Sequence, residues 1–152
     1  PNATNTRRHF YSHIRYTEIF LIYAEAANEA WGPDADPNGY GVTARDVIQK
    51  IRQRAGITQP DNYLASITTK EQLRELIRNE RRLELSFEGF RFWDLRRWDA
   101  NLTEPAVAVI IDDTNYTYME VESRLYPSHA KYGPVPFNET LKYEGLLQNE
   151  GW

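Results

Sequence analysis

Apolar residues recur along the first two-thirds of the chain at the spacing of helices. Between Arg15 and Trp31, in RYTEIFLIYAEAANEAW, Ile19, Ile22, Tyr23, Ala26 and Ala30 form one stripe at helical intervals, and Gly32-Pro33 stops it. Small alanines in the second half of that stripe leave room for a neighbouring helix. Residues 33 to 41 are rich in Asp, Pro, Asn and Gly, a turn composition. A second helix is predicted from Thr43 to Ala55, with Ala44, Val47, Ile48, Ile51 and Ala55 on one face and Gly56 as its C′ residue. The two helices together are somewhat longer than the roughly 34 residues of a tetratricopeptide unit.

After a polar connection, TKEQLRELIRNERRLELSF reads as a third helix. Thr68 or Thr69 caps it, with Glu71 and Gln72 in capping-box register. Leu73, Leu76, Ile77, Leu83 and Phe87 define its apolar arc, and Gly89 interrupts or ends it. FRFWDLRRW, Phe90 to Trp98, carries aromatics at too many angles for a surface helix and is expected to be largely buried. Beyond Ala100 the period changes. AVAVII is an apolar run and NYTYMEVE alternates, which favours short extended segments. From Tyr126 onward Pro127, Gly133, Pro134 and Pro136 predict an irregular tail. The expected fold is mainly α, with tetratricopeptide-like helix pairs and an irregular Pro-rich C-terminal tail. We read residues 1–152 as a single domain: an extended lead-in over 1–14, a helical core over 15–98 and a mostly irregular 99–152.

Composition narrows the chemistry. The net charge is −4, which gives no general attraction to nucleic acid or anionic lipid. Fourteen of the 18 basic residues are Arg, whose planar fork suits buried carboxylates and ring stacking better than Lys does. Without cysteine, disulfides and Cys zinc sites are excluded. No apolar run approaches the ~18 residues of a membrane-spanning helix. With no initiator Met and a polar start, the chain is read as a piece of a longer protein whose targeting signal lies upstream.

Several constellations invite a functional reading. Glu80 and Glu84 fall inside the apolar arc of the third helix, where two carboxylates one turn apart could be an acid/base pair, as in a glycoside hydrolase, or metal ligands. No Glu-x-x-His accompanies them, and neutralisation by Arg52, Arg54 or Arg91 is the favoured account; Glu25, at the edge of the first stripe, is read the same way. Asp34, Asp36, Asn38 and Gly39 match the opening of a calcium loop, but its twelfth position is Arg45 where a bidentate Glu belongs. His9 and His13 lie four apart in HFYSH, which is not H-E-x-x-H and has no third ligand nearby, and His129 stands alone. No metal or other cofactor is expected. The arginines between Arg74 and Arg97 are nearly cancelled by acids over the same span, against a nucleic-acid surface. No nucleophile elbow, phosphate loop or dinucleotide fingerprint appears. The aromatics remain. If Tyr116 to Glu122 is extended, Tyr116, Tyr118, Glu120 and Glu122 share a face, a ring pair beside carboxylates that suits a sugar. Trp31 and Tyr40, flanking the first helix–helix loop, are second candidates. For each ring the plainer reading is that it covers the edge of the core.

Three stretches, taken in order, resemble the SusD/RagB family. They are IRYTEIFLIYAEAANEA with IRQRAGI after it, IRNERRLELSFEGFRFWDLRRW, and YGPVPFNETLKYEGLLQNEGW, with its Pro-x-Pro and closing Gln-Asn-x-Gly-Trp. The resemblance implies a mostly helical fold with tetratricopeptide-like pairs. It also implies a lipoprotein of the bacterial outer membrane, surface-exposed and lipid-anchored through an N-terminal segment absent here. Such proteins partner a SusC-type TonB-dependent porin and capture oligosaccharides, or peptides in some members, as binders rather than enzymes. Glu25, Arg54, Glu80, Arg81, Glu84, Glu88, Arg91, Asp94 and Trp98 look like structural signature positions of the family. Its members are several times longer, and their sugar-binding residues lie largely upstream of the matching region. An alternative follows: a scaffold that docks to the porin, with the ligand site elsewhere.

Overall fold

The structure, a computed structural model, describes residues 12–152. They are mainly helical with a small two-stranded sheet, and fall into two compact units, the first running to Arg91 and the second Phe92–Trp152.

In the first unit α1 spans Tyr16–Trp31 and ends where Gly32, at φ 89, donates its N–H to the Asn28 carbonyl at 2.9 Å. A residue with a Cβ is strained at that φ, which is why glycine stands there. α2, Ala44–Arg54, starts with a capping box: the Asp46 N–H donates to Thr43 Oγ1 at 3.2 Å, and the Thr43 N–H donates to Asp46 Oδ2 at 2.8 Å. α3, Asn62–Ser66, is a five-residue helix in the segment expected as a plain connection. Asp61 caps it, accepting from the Leu64 N–H at 3.1 Å. α4, Lys70–Glu84, is capped by Thr69 with Gln72, in the expected register.

The core is Leu21, Ala24 and Ala27 from α1, Ala44, Val47, Ile48 and Ile51 from α2, Leu64 and Ile67 around α3, and Leu73, Leu76, Ile77 and Leu85 around α4. Each buried Leu or Ile contributes about 1.5–3 kcal/mol relative to exposure. At one end Arg15 reaches Glu84 and Glu88; at the other, Asn28 and Glu29 reach Lys70 and Arg74. α4 therefore runs antiparallel to α1.

Two expectations about this unit are corrected. Four members of the expected α1 stripe, Ile19, Ile22, Ala26 and Ala30, face outward, while the fifth, Tyr23, packs against the core with Leu21, Ala24, Ala27 and the fully buried Asn28. The helix is apolar on two sides, and Asn28 is admitted inside because its Nδ2 donates to the Lys70 carbonyl at 2.9 Å. On α4, Leu83 is 60% exposed although it lies seven residues after the buried Leu76. A 3.6-residue helix rotates about 20° per heptad, so the buried face passes instead through Glu80, Arg81 and Leu85. The helix stops at the Leu85 cap, and Phe87, at φ 64, stays in solvent.

α5 is Phe90–Arg97, and Phe90 packs against the core of the first unit. The expectation that Phe90 to Trp98 is largely buried is also corrected: Asp94 is buried, but Phe92 and Trp93 are more than half exposed. These rings are covered by each other and by arginine. Phe92 and Trp93 meet edge to face at 5.0 Å, and the Arg96 guanidinium lies 3.4 Å from the Phe92 ring centroid.

Within 99–152, expected to be mostly irregular, residues 106–122 form an antiparallel hairpin of β1, Ala106–Asp112, and β2, Asn115–Glu122. The tail after it is stitched by polar side chains. The Gln148 amide accepts from the Val135 N–H at 2.7 Å and donates to the Val135 carbonyl at 2.9 Å, as a neighbouring strand would. Asn149 Nδ2 donates to the Gly133 carbonyl, and the Trp152 indole N–H is shared between the Tyr132 carbonyl (2.8 Å) and the His129 carbonyl (3.1 Å).

Candidate functional site

The carboxylates inside the helical core come first, because an acid/base site would be built from them. Glu80 is 5% exposed and accepts from Arg52 Nη1 at 2.7 Å. The same guanidinium donates through Nε to Asp61 Oδ2 at 2.5 Å, and it lies 5.6 Å from the centroid of the Tyr63 ring. The Arg52 hydrogen bond is the main reason the Asp61 carboxyl is held below its ordinary range, burial opposing it. Glu84 pairs with Arg54, and its backbone carbonyl accepts from Arg15 Nη2 at 2.5 Å. Arg15 also holds Glu88, at 2.9 Å through Nε. Glu29 takes a two-pronged contact from Arg74, 2.6 Å on each oxygen, which lowers its pKa. Asp94 accepts from Arg97 Nε at 2.9 Å, and that guanidinium lies 4.8 Å from the Trp98 ring centroid. Arg81 is buried, Glu25 half-buried, and Arg91 exposed; each is engaged with a partner. The Arg52–Glu80, Arg54–Glu84 and Arg74–Glu29 pairs each join one helix to another.

The calcium-like loop is occupied by its own polar groups. Arg45, at the position where calcium loops place a glutamate, clamps both Asp34 oxygens at 2.5 and 2.9 Å and holds Asp34 below the ordinary carboxylate range. Its Nη1 also donates to the Leu64 carbonyl and its Nη2 to the Ile67 carbonyl. Asp36 accepts from the Tyr40 and Gly41 N–H groups, and Asn38 donates to the Tyr40 hydroxyl at 3.3 Å. A guanidinium stands where a cation would need oxygen ligands. Among the described residues no three metal-ligating side chains cluster. His9 lies outside the described residues; His13 is exposed and engaged with a partner.

The exposed aromatics divide into two groups. Trp31 closes α1 at 38% exposure and Tyr40 follows in the loop at 63%, both in the first unit. Tyr116 and Tyr118 lie on β2 at 61% and 73% exposure. Register places Ile111 opposite Tyr116, Val109 opposite Tyr118 and Val107 opposite Glu120. Cross-strand partners share a face, so one side of the hairpin carries three aliphatic residues, two tyrosines and a carboxylate. Glu122 does not join them. A bulge beside Ala106 and Val107 leaves Val121 unmatched and pairs Glu122 with Ala106, which points to the other face. Sequence reasoning placed Glu122 with the tyrosines because it assumed unbroken alternation. It also missed Val107, Val109 and Ile111, which only strand pairing brings beside them.

Helices joined by arginine–carboxylate pairs, with large rings left outside the core, define a mainly helical protein whose buried acids are paired and many of whose aromatics are accessible. The chain belongs to the SusD family, whose model matches residues 2–152. It is 30% identical to SusD-like protein P25 of Formosa agariphila over 90% of this chain and 23% of that protein. SusD-like protein P38 of the same organism is 35% identical over 55% of this chain and 16% of its own length. The crystal structure of a SusD-like protein from Bacteroides fragilis superposes with a TM-score of 0.68 at 33% identity, covering 91% of this chain and 25% of that one. The chain thus spans about a quarter or less of the length of these relatives.

Proposed function

We propose that the chain is part of a surface protein that captures oligosaccharides for nutrient uptake, and that it binds rather than transforms them. Family membership supplies the class. The observation that carries the reading to this chain is the exposed hairpin face of Tyr116, Tyr118 and Glu120. Flat pyranose faces stack on such rings while a neighbouring carboxylate accepts from sugar hydroxyls. In this reading the whole protein is lipid-anchored at the outer membrane through a segment ahead of these residues and works with a SusC-type TonB-dependent porin. Among the described residues no helix is long and apolar enough to cross a membrane. The engagement of Glu80 and Glu84 by Arg52 and Arg54 supports a binder over a hydrolase.

Affinity electrophoresis against soluble polysaccharides tests this. Retardation of the chain that is lost in Tyr116→Ala and Tyr118→Ala supports the reading; retardation that persists in both overturns the hairpin as the site. Trp31→Ala and Tyr40→Ala then examine the second pair of rings.

A second reading rests on α1. Its outward stripe of Ile19, Ile22, Ala26 and Ala30 suits another helix, as in stacked tetratricopeptide-like pairs, with α1 and α2 forming one pair. The chain would then be a docking scaffold for the porin or for the rest of its own protein. Absence of retardation for the chain, together with porin binding that Ile22→Glu abolishes, favours this reading.

A further inference from the structure

We propose that the C-terminal tail holds a second sugar subsite, a recess of about 550 Å³ lined by Ser128, His129, Tyr132, Asn149, Glu150 and Gly151, which takes one neutral pyranose unit. It lies wholly within the second unit, and none of its residues belongs to the Tyr116–Tyr118 face. The proposal rests on the glycan reading above and extends it to a separate site.

The walls are preorganised. Trp152 stacks edge to face on His129, with centroids 4.9 Å apart, and its indole N–H bridges the His129 and Tyr132 carbonyls. Asn149 is tied to the Gly133 carbonyl at 2.6 Å, and its backbone N–H donates to Gln148 Oε1 at 2.9 Å. Gly151 sits at φ +89, and a Cβ there would lie 2.4 Å from the His129 Cβ, so the backbone approaches the imidazole as only glycine allows. A recess fixed this way takes a ligand without having to order its own tail first.

The lining chemistry selects the ligand class. Its lining residues include two with flat rings, His129 and Tyr132, a chemistry that suits C–H faces, and Ser128, Tyr132 and Glu150, whose hydroxyls and carboxylate suit hydrogen bonds to sugar hydroxyls. Among the described residues no Arg or Lys lines it. Lys131, inside the same turn, is bound to Asp99 at 2.7 Å. A uronate or sulfated sugar would meet Glu150 with no Arg or Lys countercharge in the lining, so a neutral sugar is preferred.

Heteronuclear NMR of the whole chain tests this, with the Trp152 indole N–H as reporter, assigned through Trp152→Phe. Methyl glucoside, methyl galactoside and galacturonate are the probes, each titrated to about 0.1 M, far above a millimolar Kd. The expected result is saturable movement of the Trp152 signal with a neutral glycoside, at least tenfold weaker with galacturonate. Tyr132→Ala, which removes an exposed ring, should weaken it at least tenfold, and Tyr116→Ala/Tyr118→Ala should leave it unchanged. Gly151→Ala, which drives His129 from its place, should abolish it. Three outcomes would overturn the subsite: no saturable movement with either neutral glycoside, an equal response to galacturonate, or a response that survives Tyr132→Ala. If the subsite fails while polysaccharides still retard the chain, the glycan reading stands alone. If both assays are blank, both fall.

Discussion

Replacing Arg52 with methionine is the most searching test of how the helical unit is held together. Arg52 is 13% exposed and bridges two carboxylates, Asp61 at 4% and Glu80 at 6% side-chain exposure. Methionine keeps most of the packing volume but strands both acids. Removing one partner from a buried ionic group costs roughly 3–5 kcal/mol. Against a total stability of about 5–15 kcal/mol, that is a large fraction. With a urea dependence of about 2 kcal/mol per molar, the midpoint followed by far-UV circular dichroism should fall by about 2 M. The pH dependence carries a sign. In the native chain the Asp61 pKa lies below its unfolded value, so its contribution is present above the ordinary carboxylate pKa of about 4 and is lost as pH falls through the depressed one. Without Arg52 the largest lowering influence is gone, and burial is opposed only by the Leu64 and Tyr63 backbone hydrogen bonds, so the Asp61 pKa rises from its native position. The variant lacks that pH-dependent stabilisation, so its deficit against the native chain should be fullest above the ordinary carboxylate pKa of about 4 and shrink as pH falls through the depressed one. Adding Asp61→Asn and Glu80→Gln, which remove the stranded charges while Asn still caps α3, should recover much of the loss. A midpoint shift below about 0.5 M, or a deficit that does not change with pH, would refute this account of the network.

Other consequences can be measured with the same equipment. Thr69→Ala removes the cap of α4 and should cost about 1 kcal/mol, a midpoint fall of about 0.5 M urea. Arg45→Lys keeps the charge but loses the fork that holds Asp34 and the Leu64 and Ile67 carbonyls; limited proteolysis should cut the 33–41 segment faster than in the native chain. Tyr116→Ala and Tyr118→Ala remove exposed rings, so each should move stability by no more than about 0.5 kcal/mol while abolishing polysaccharide retardation.

How much of this was legible before the coordinates depends on where the deciding contact lies. α2 and α4, with Thr43 and Thr69 before them and Gly56 after the first, follow from local signals because caps act within one turn. α3 was missed because it offers only five residues and one buried leucine; Asp61 just ahead of it was the signal available. The core face of α1 was misread for a deeper reason. Ile19, Ile22, Ala26 and Ala30 make as regular a stripe as Leu21, Ala24, Ala27 and Asn28, and the second includes an asparagine. Periodicity measures regularity, not which side meets a neighbour. Only the Lys70 carbonyl, 42 residues away, explains why an amide lies inside. The hairpin bulge was equally out of reach, since no glycine or proline marks it on β2.

The excess of arginine over lysine leads from packing to function. Arg15 and Arg52 each hold two separate partners at once and Arg45 holds three, and Arg96 lies over a ring, work that a single ammonium does poorly. In the helical unit the buried acids Asp61 and Glu80 are both paired with Arg52. Among the side chains that packing leaves over, beside aliphatic residues such as Ile19 and Ile22 of α1, are rings on loops, the hairpin and the tail, clear of the helical unit's ion pairs. If recognition belongs to those rings, charge-conserving changes in the helical unit such as Arg54→Lys should alter stability without altering which polysaccharides retard the chain. A changed polysaccharide preference in that variant would mean that the arginine–carboxylate pairs take part in recognition after all.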